Sequence, residues 1–299
     1  MIRSSALVSH ALVVCAAFSL VACTGSVLAQ PFTYSHFPSN TVINTPVTAD
    51  FAIVGYSGGM YNEVDFTREF TGPSSPTIQV VAGADIPDAE VFNHSTVHVT
   101  GGSVTFAAMY DTSTLRVSGG TVGFSLGFDS SEIHVTGGTV TELAGQGRLA
   151  NVSGGMLGIV TANSNTDTMG GQLGSCIVNL TGGTFMEEVN ALNEGILNLY
   201  GGQILAPFLR SAEGGTLNIY GTGLSAQLTN PNAPNGYSLY TLAGLLSDGS
   251  SLDGVQLRVR NDGVTYGHST FNLITVPAPS AAATVALGGL MAARRRRGR

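Results

Sequence analysis

Tryptophan is absent, no lysine occurs between Gln30 and Val276, and charged residues make up only 10% of the chain. In that stretch six arginines stand against all 19 acids, a balance of −13 before histidine. A surface of this sign argues against nucleic acid or anionic lipid as partners. With so few charges, the surface must be built largely of Ser, Thr, Asn and Gly. Lack of Trp disfavours a carbohydrate module based on aromatic platforms, although nine Tyr keep that class open. Of three cysteines, Cys15 and Cys23 lie in or beside an N-terminal leader, leaving Cys176 alone. A lone thiol closes no intrachain disulfide, so stability must come from apolar packing. The chain also lacks a Gly-x-Ser-x-Gly elbow, a His-Glu-x-x-His pair and a P-loop. No catalytic residue, cofactor or metal ligand is therefore expected.

What is present is one repeated phrase: VHVTGGSV, LRVSGGTV, IHVTGGTV, ANVSGGML, VNLTGGTF, LNLYGGQI and LNIYGTGL. Its first glycines are Gly101, Gly119, Gly137, Gly154, Gly182, Gly201 and Gly221, at intervals of 18, 18, 17, 28, 19 and 20 residues. A fixed period of this size marks stacked supersecondary units. Val97-His98-Val99 and Ile133-His134-Val135 alternate with strand spacing, one face buried. Gly-Gly then lets the chain turn a corner, and Val104 with Phe106, or Val122 with Phe124, alternate inward again. Each unit is too short to hold a strand, a helix and two loops. The fold expected is all-β: a single-stranded parallel β-helix, or solenoid, with irregular β caps at both ends. Val97, Val99, Val117, Val135, Val152, Leu180, Leu199 and Ile219 should point inward. The 28-residue interval carries a further Met169-Gly170-Gly171, so it holds either an insertion at 161–168 or a short extra coil.

The period also aligns polar residues into columns. Eight residues before the glycines stand Asn93, Asp111, Asp129, Gln146, Gly174, Asn193 and Glu213, a column suited to turns. Three before them stand His98, Arg116, His134, Asn151, Asn179, Asn198 and Asn218, expected to face outward. Asp111 and Asp129, one unit apart at about 5 Å, have the separation of paired acids in a glycosidase or a Ca²⁺ site. Asn93 in the same column makes a turn role the better reading. His98 and His134 stand two units apart with Arg116 between them, too far apart for shared zinc. Asp248 and Asp253 flank a short loop but lack the carboxylate density of a calcium loop. Asn93, Asn151 and Asn179 match the glycosylation triplet because the repeat itself places Asn before Ser or Thr. Lyases and hydrolases on coils of this kind draw on clustered acids and bases, and here only Arg116, Arg148 and Arg210 fall among the coils.

The termini speak to address. Arg3, the apolar stretch from Ala11 to Ala22 and Val27-Leu28-Ala29 before Gln30 form a secretion signal cleaved between Ala29 and Gln30; Leu20-Val21-Ala22-Cys23 offers a competing lipobox with Cys23 lipidated. At the other end Pro277-Ala278-Pro279-Ser280 precedes an apolar stretch from Ala281 to Ala293. Arg294, Arg295, Arg296, Arg297 and Arg299 follow, the cluster expected on the cytoplasmic side. A Pro motif, an apolar stretch and terminal arginines resemble the PEP-CTERM sorting tail of exported bacterial β-helical proteins. Ala278 stands where that motif usually has Glu. The resemblance implies an exosortase-like processing enzyme as partner, transient membrane attachment through the tail, and a destination at the envelope, cell surface or outside the cell. The resulting organisation is residues 1–29 signal peptide, 30–92 N-terminal β cap or imperfect coil, 93–229 repeats, 230–276 C-terminal β cap and 277–299 sorting tail. The function expected is a non-enzymatic structural or adhesive role. The rival is an extracellular protein that binds or degrades polysaccharide, with envelope polysaccharide as its partner.

Overall fold

Short apolar-polar alternation rich in Val, Ile and Thr favours extended backbone, and the chain is all-β. The computed structural model describes residues 32–62, 67–166, 171–260 and 269–276. Its strands stack into two ladders visited alternately by the chain. The first ladder includes Thr77–Val80, Thr96–Val99, Thr114–Val117 and Glu132–Val135, each parallel to the next with no slip in register. It continues through Leu149, Ile177, Ile196 and Thr216 to Thr270–Thr275. The second ladder joins Phe51–Val54, Asp85–Val91, Ser103–Met109, Thr121–Gly127 and Thr139–Gly145 in the same parallel sense. It runs on through Met156 and Thr184 to Phe208–Ser211 and Gln256–Arg260. Parallel pairing thus reaches from Tyr34 to Thr275, beyond the residues that carry the Gly-Gly phrase.

Between the ladders lies one apolar interior. Val97, Val99, Val117, Val135, Val152, Leu180, Leu199 and Ile219 are all buried there. Val104 and Val122 are also buried, but Phe106 and Phe124 are only half-buried and stack outside at 5.3 Å. The reason is a slip of phase: inward positions on the second ladder lie three apart, as in Val104 and Ala107 or Val140 and Leu143. A smaller cluster of Ile53, Phe92, Ala108 and Tyr110 packs separately.

The corner glycines have two distinct causes. Gly102, Gly120, Gly138 and Gly155 hold φ between +67° and +88°, a region that side chains disfavour. The first glycine of each pair meets a different limit. A Cβ at Gly137 would come within 2.6 Å of the Ser118 carbonyl oxygen, on the neighbouring rung.

Not every pairing is parallel, so the purely parallel coil expected from the repeat is not the whole topology. Ser164–Thr166 and Gln172–Ser175 form an antiparallel hairpin. It accounts for the 28-residue interval, because Asn151 pairs directly with Asn179 and leaves no room for an extra coil. Thr161 and Ala162 belong to the second ladder, so the insertion starts after them. Tyr56–Asn62 and Thr67–Pro73 make a second antiparallel hairpin near the N-terminal end. Towards the C-terminal end Tyr237–Leu246 pairs antiparallel with both Thr216–Ala233 and Gln256–Arg260. With Phe208–Ser211, Ile177–Ala191 and Ile196–Ile204 these strands form a closed ring of six pairings. Such closure removes open strand edges, which otherwise invite unwanted association.

Candidate functional site

Asp111 and Asp129 are set by the corner that precedes each first-ladder strand. Both hold left-handed backbone, φ +56° and +54°, as do Asn93, Asn193 and Glu213 of the same column. Their carboxylates do not converge on open space. Asp111 Oδ2 accepts from the Asn93 N–H at 2.8 Å, and Asp129 Oδ2 accepts from the Asp111 N–H at 3.1 Å. Asn93 Nδ2 in turn donates to the Gly55 carbonyl at 2.9 Å. Each side chain thus ties its own corner to the previous one rather than bonding within its own turn. Two members leave the expected column. Gln146 is buried without positive φ, and Gly174 lies in the inserted hairpin. The 17- and 28-residue spacings shift both out of phase.

Register places His98, Arg116, His134, Asn151, Asn179, Asn198 and Asn218 on successive rungs, and the structure adds Asn272. Five of these residues form an asparagine ladder. Asn179 donates to Asn151, Asn198 to Asn179, Asn218 to Asn198 and Asn272 to Asn218, at 2.8–2.9 Å. His134 extends it, with Nδ1 3.4 Å from Asn151 Nδ2 and Nε2 3.1 Å from Glu132 Oε2. Arg148 closes the line on Glu132. Burial pulls the Glu132 carboxyl upward. Hydrogen bonds from Arg148 and His134, and their charge, outweigh it and hold its pKa below the ordinary value. His98 turns away to Ser118 Oγ at 3.0 Å, so the two histidines share no ligand geometry. In the next column Thr100 and Thr181 donate to the carbonyls of Val80 and Val152 on the preceding rungs.

The Asp248–Asp253 loop is likewise committed to backbone. Asp248 accepts from the Gly202 N–H at 2.7 Å and the Ser250 N–H at 2.9 Å, while Asp253 accepts from the Gly244 N–H at 3.0 Å. A Cβ at Gly201 would collide with the Asp248 carboxyl, so the loop is seated on that corner. Cys176 is buried in the main core, and desolvation raises its thiol pKa to about 12. It is not a nucleophile at neutral pH.

Two arrangements were not read from the sequence. Phe92, Tyr110 and Phe128 stack face to face at 4.8 and 5.2 Å, and their signal was an aromatic residue just before each turn residue at a period of 18. Rings stacked on one another have their faces occupied, so they are not the open platforms on which sugars rest. The second is an arginine pair, Arg210 and Arg258, aligned on adjacent rungs of the second ladder. Arg210 meets Glu188 at 3.5 Å and donates through Nε to Asn190 Oδ1 at 3.1 Å, while Arg258 lies 3.7 Å over the ring of Phe208.

Ala29, Gln30, Cys23, Pro277, Ala278, Pro279 and the arginines from Arg294 to Arg299 lie outside the described residues. Among the described residues no helix is long and apolar enough to cross a membrane. No protein-family model, curated protein or solved structure matches the chain.

Proposed function

We propose that this is a non-enzymatic, exported protein with a structural or adhesive role at the cell envelope or outside the cell. On this reading its two ladders are the faces of one single-stranded parallel β-helix, and the arginine-ended tail is a sorting signal for an exosortase-like enzyme. One observation carries the structural role: the polar columns that could have formed a site are bonded to neighbouring rungs. The Asp column accepts backbone amides, and in the asparagine ladder each amide from Asn179 to Asn272 donates to the rung before it. A polar face organised for its own stacking stiffens the stacked strands.

Export rests on the leader with its cleavage point at Ala29 and on Pro277-Ala278-Pro279, the apolar stretch and the arginine cluster. The apolar stretch is short beside the roughly 20 residues that span a bilayer comfortably. That suits a transient stop awaiting processing better than a permanent anchor. Mass spectrometry of the native product tests this, together with localisation of tagged chains with and without residues 277–299. The expected product begins near Gln30 and ends between Pro277 and Ser280, and the truncated chain is mislocalised. An intact C-terminus at Arg299 in the mature protein would reduce the tail to a plain anchor.

A further inference from the structure

Positive charge is scarce in the chain body, yet three of its six arginines, Arg210, Arg258 and Arg260, lie on two neighbouring strands, Phe208–Ser211 and Gln256–Arg260. Arg210 and Arg258 are in direct register. Like charges on adjacent strands are disfavoured unless something of opposite sign joins them. For Arg210 that group is Glu188, and for Arg260 it is Glu213 at 3.6 Å. Arg258 is exposed and has no carboxylate partner among the described residues. Its guanidinium instead lies over Phe208 at 3.7 Å from the ring centre. A guanidinium seated on an aromatic ring keeps N–H donors for a carboxylate.

The surroundings narrow the class of ligand. Gln256, in register with Phe208, lies beside the stack on the same strand as Arg258 and donates to Thr241 Oγ1 at 3.1 Å. This amide and the Thr241 hydroxyl are neutral groups suited to the hydroxyls of a sugar. The wider body, with its balance of −13, repels a densely charged polyanion. An arginine with no carboxylate partner among the described residues, set beside an amide and a hydroxyl, fits a chain of sugars whose carboxylates are separated by neutral units.

We propose that the outer face around Arg258, Phe208 and Gln256 binds a carboxylate-bearing polysaccharide with widely spaced charges. This rests on the export reading, because such polymers lie outside the cell. Hyaluronan, with one carboxylate on every second sugar, is the probe; dextran is the neutral control and polyglutamate the dense peptide polyanion. Titration calorimetry at low salt should show hyaluronan binding, with dextran and polyglutamate weaker. Arg258→Gln should weaken binding about tenfold, the scale of one charge-assisted contact. Arg258→Lys, which keeps the charge but not the fork, should fall between, and Arg116→Gln should match the parent. Unchanged circular dichroism of each variant shows that the fold persists; should Arg258→Gln misfold, Arg258→Lys carries the test. The proposal is overturned by the absence of hyaluronan binding, by equal loss in Arg116→Gln and Arg258→Gln, or by polyglutamate binding as tightly. Tail processing is read separately by mass spectrometry, so failure here leaves the export reading standing, and failure of processing leaves the binding result intact.

Discussion

Asp111 shows how the identity of a residue can mislead until its acceptor geometry is known. Two acids in one column at one-rung separation fit a catalytic or calcium pair, but each carboxylate accepts the backbone N–H of the rung before it. What the position requires is an acceptor and tolerance of φ near +56°, and Asn supplies both. Asp111→Asn combined with Asp129→Asn should therefore shift the urea-unfolding free energy by no more than about 0.5 kcal/mol. Asp111→Ala should lose about 2 kcal/mol, combining a lost hydrogen bond with left-handed strain. If the double Asn variant falls as far as the Ala variant, the negative charge itself matters and the turn reading fails. At this scale the columns were legible because the period is regular, and legibility ended where it slips. Counting back eight residues across the intervals of 17 and 28 assigns Gln146 and Gly174 to the column, yet one is buried and the other lies in the inserted hairpin. Asn272 is not legible by the period, because its rung, Phe271-Asn272-Leu273, keeps the apolar-Asn-apolar pattern but lacks the glycine pair.

Among the elements, corners constrain the sequence more tightly than strands do. The two glycines of a pair answer to different forces, and substitution separates them. Gly137 needs no unusual φ; it is closed off because a Cβ would meet the Ser118 carbonyl oxygen at 2.6 Å, and a rung's backbone cannot yield without disturbing the next. Gly249, in the C-terminal loop, has φ +91° and open space around it. Gly249→Ala should thus cost about 1 kcal/mol from backbone strain alone. Gly137→Ala should cost more, on the order of 3 kcal/mol, as overpacking does in a close-packed interior. Thermal unfolding of the two variants orders them, and a smaller loss for Gly137→Ala would mean that the rungs can separate locally. The repeat phrase made these corners visible, but the antiparallel hairpin at 164–175 was not readable as such. Nothing in the period distinguishes an excursion from an additional coil; only the direct pairing of Asn151 with Asn179 does. Nor did alternation reveal the phase slip on the second ladder, since Phe106 and Phe124 look like inward residues until Ala107 and Ser125 are found buried beside them.

For the whole molecule, the proposed coil has each rung contact mainly its neighbours, which makes stability close to a sum of rung and interface contributions. Damage in the middle should then interrupt the stack, because both flanking interfaces are lost together. Val135 lies at such a point, fully buried and paired in register with Val117 on one side and Val152 on the other. An aspartate there would place a charge in the apolar interior with no partner, a change costing several kcal/mol. Cys176 is a built-in reporter of the outcome. It is buried further along the same core, and its thiol, with a pKa near 12, is almost entirely protonated at pH 7. Alkylation requires the thiolate and access to it, so iodoacetamide should leave Cys176 unmodified in the folded protein for hours, as read by peptide mass mapping. In Val135→Asp the same position should be modified nearly as fast as in urea. Retained protection of Cys176, with an unchanged unfolding midpoint, would show that the stack tolerates a buried charge at its centre and that its rungs are not coupled across that distance.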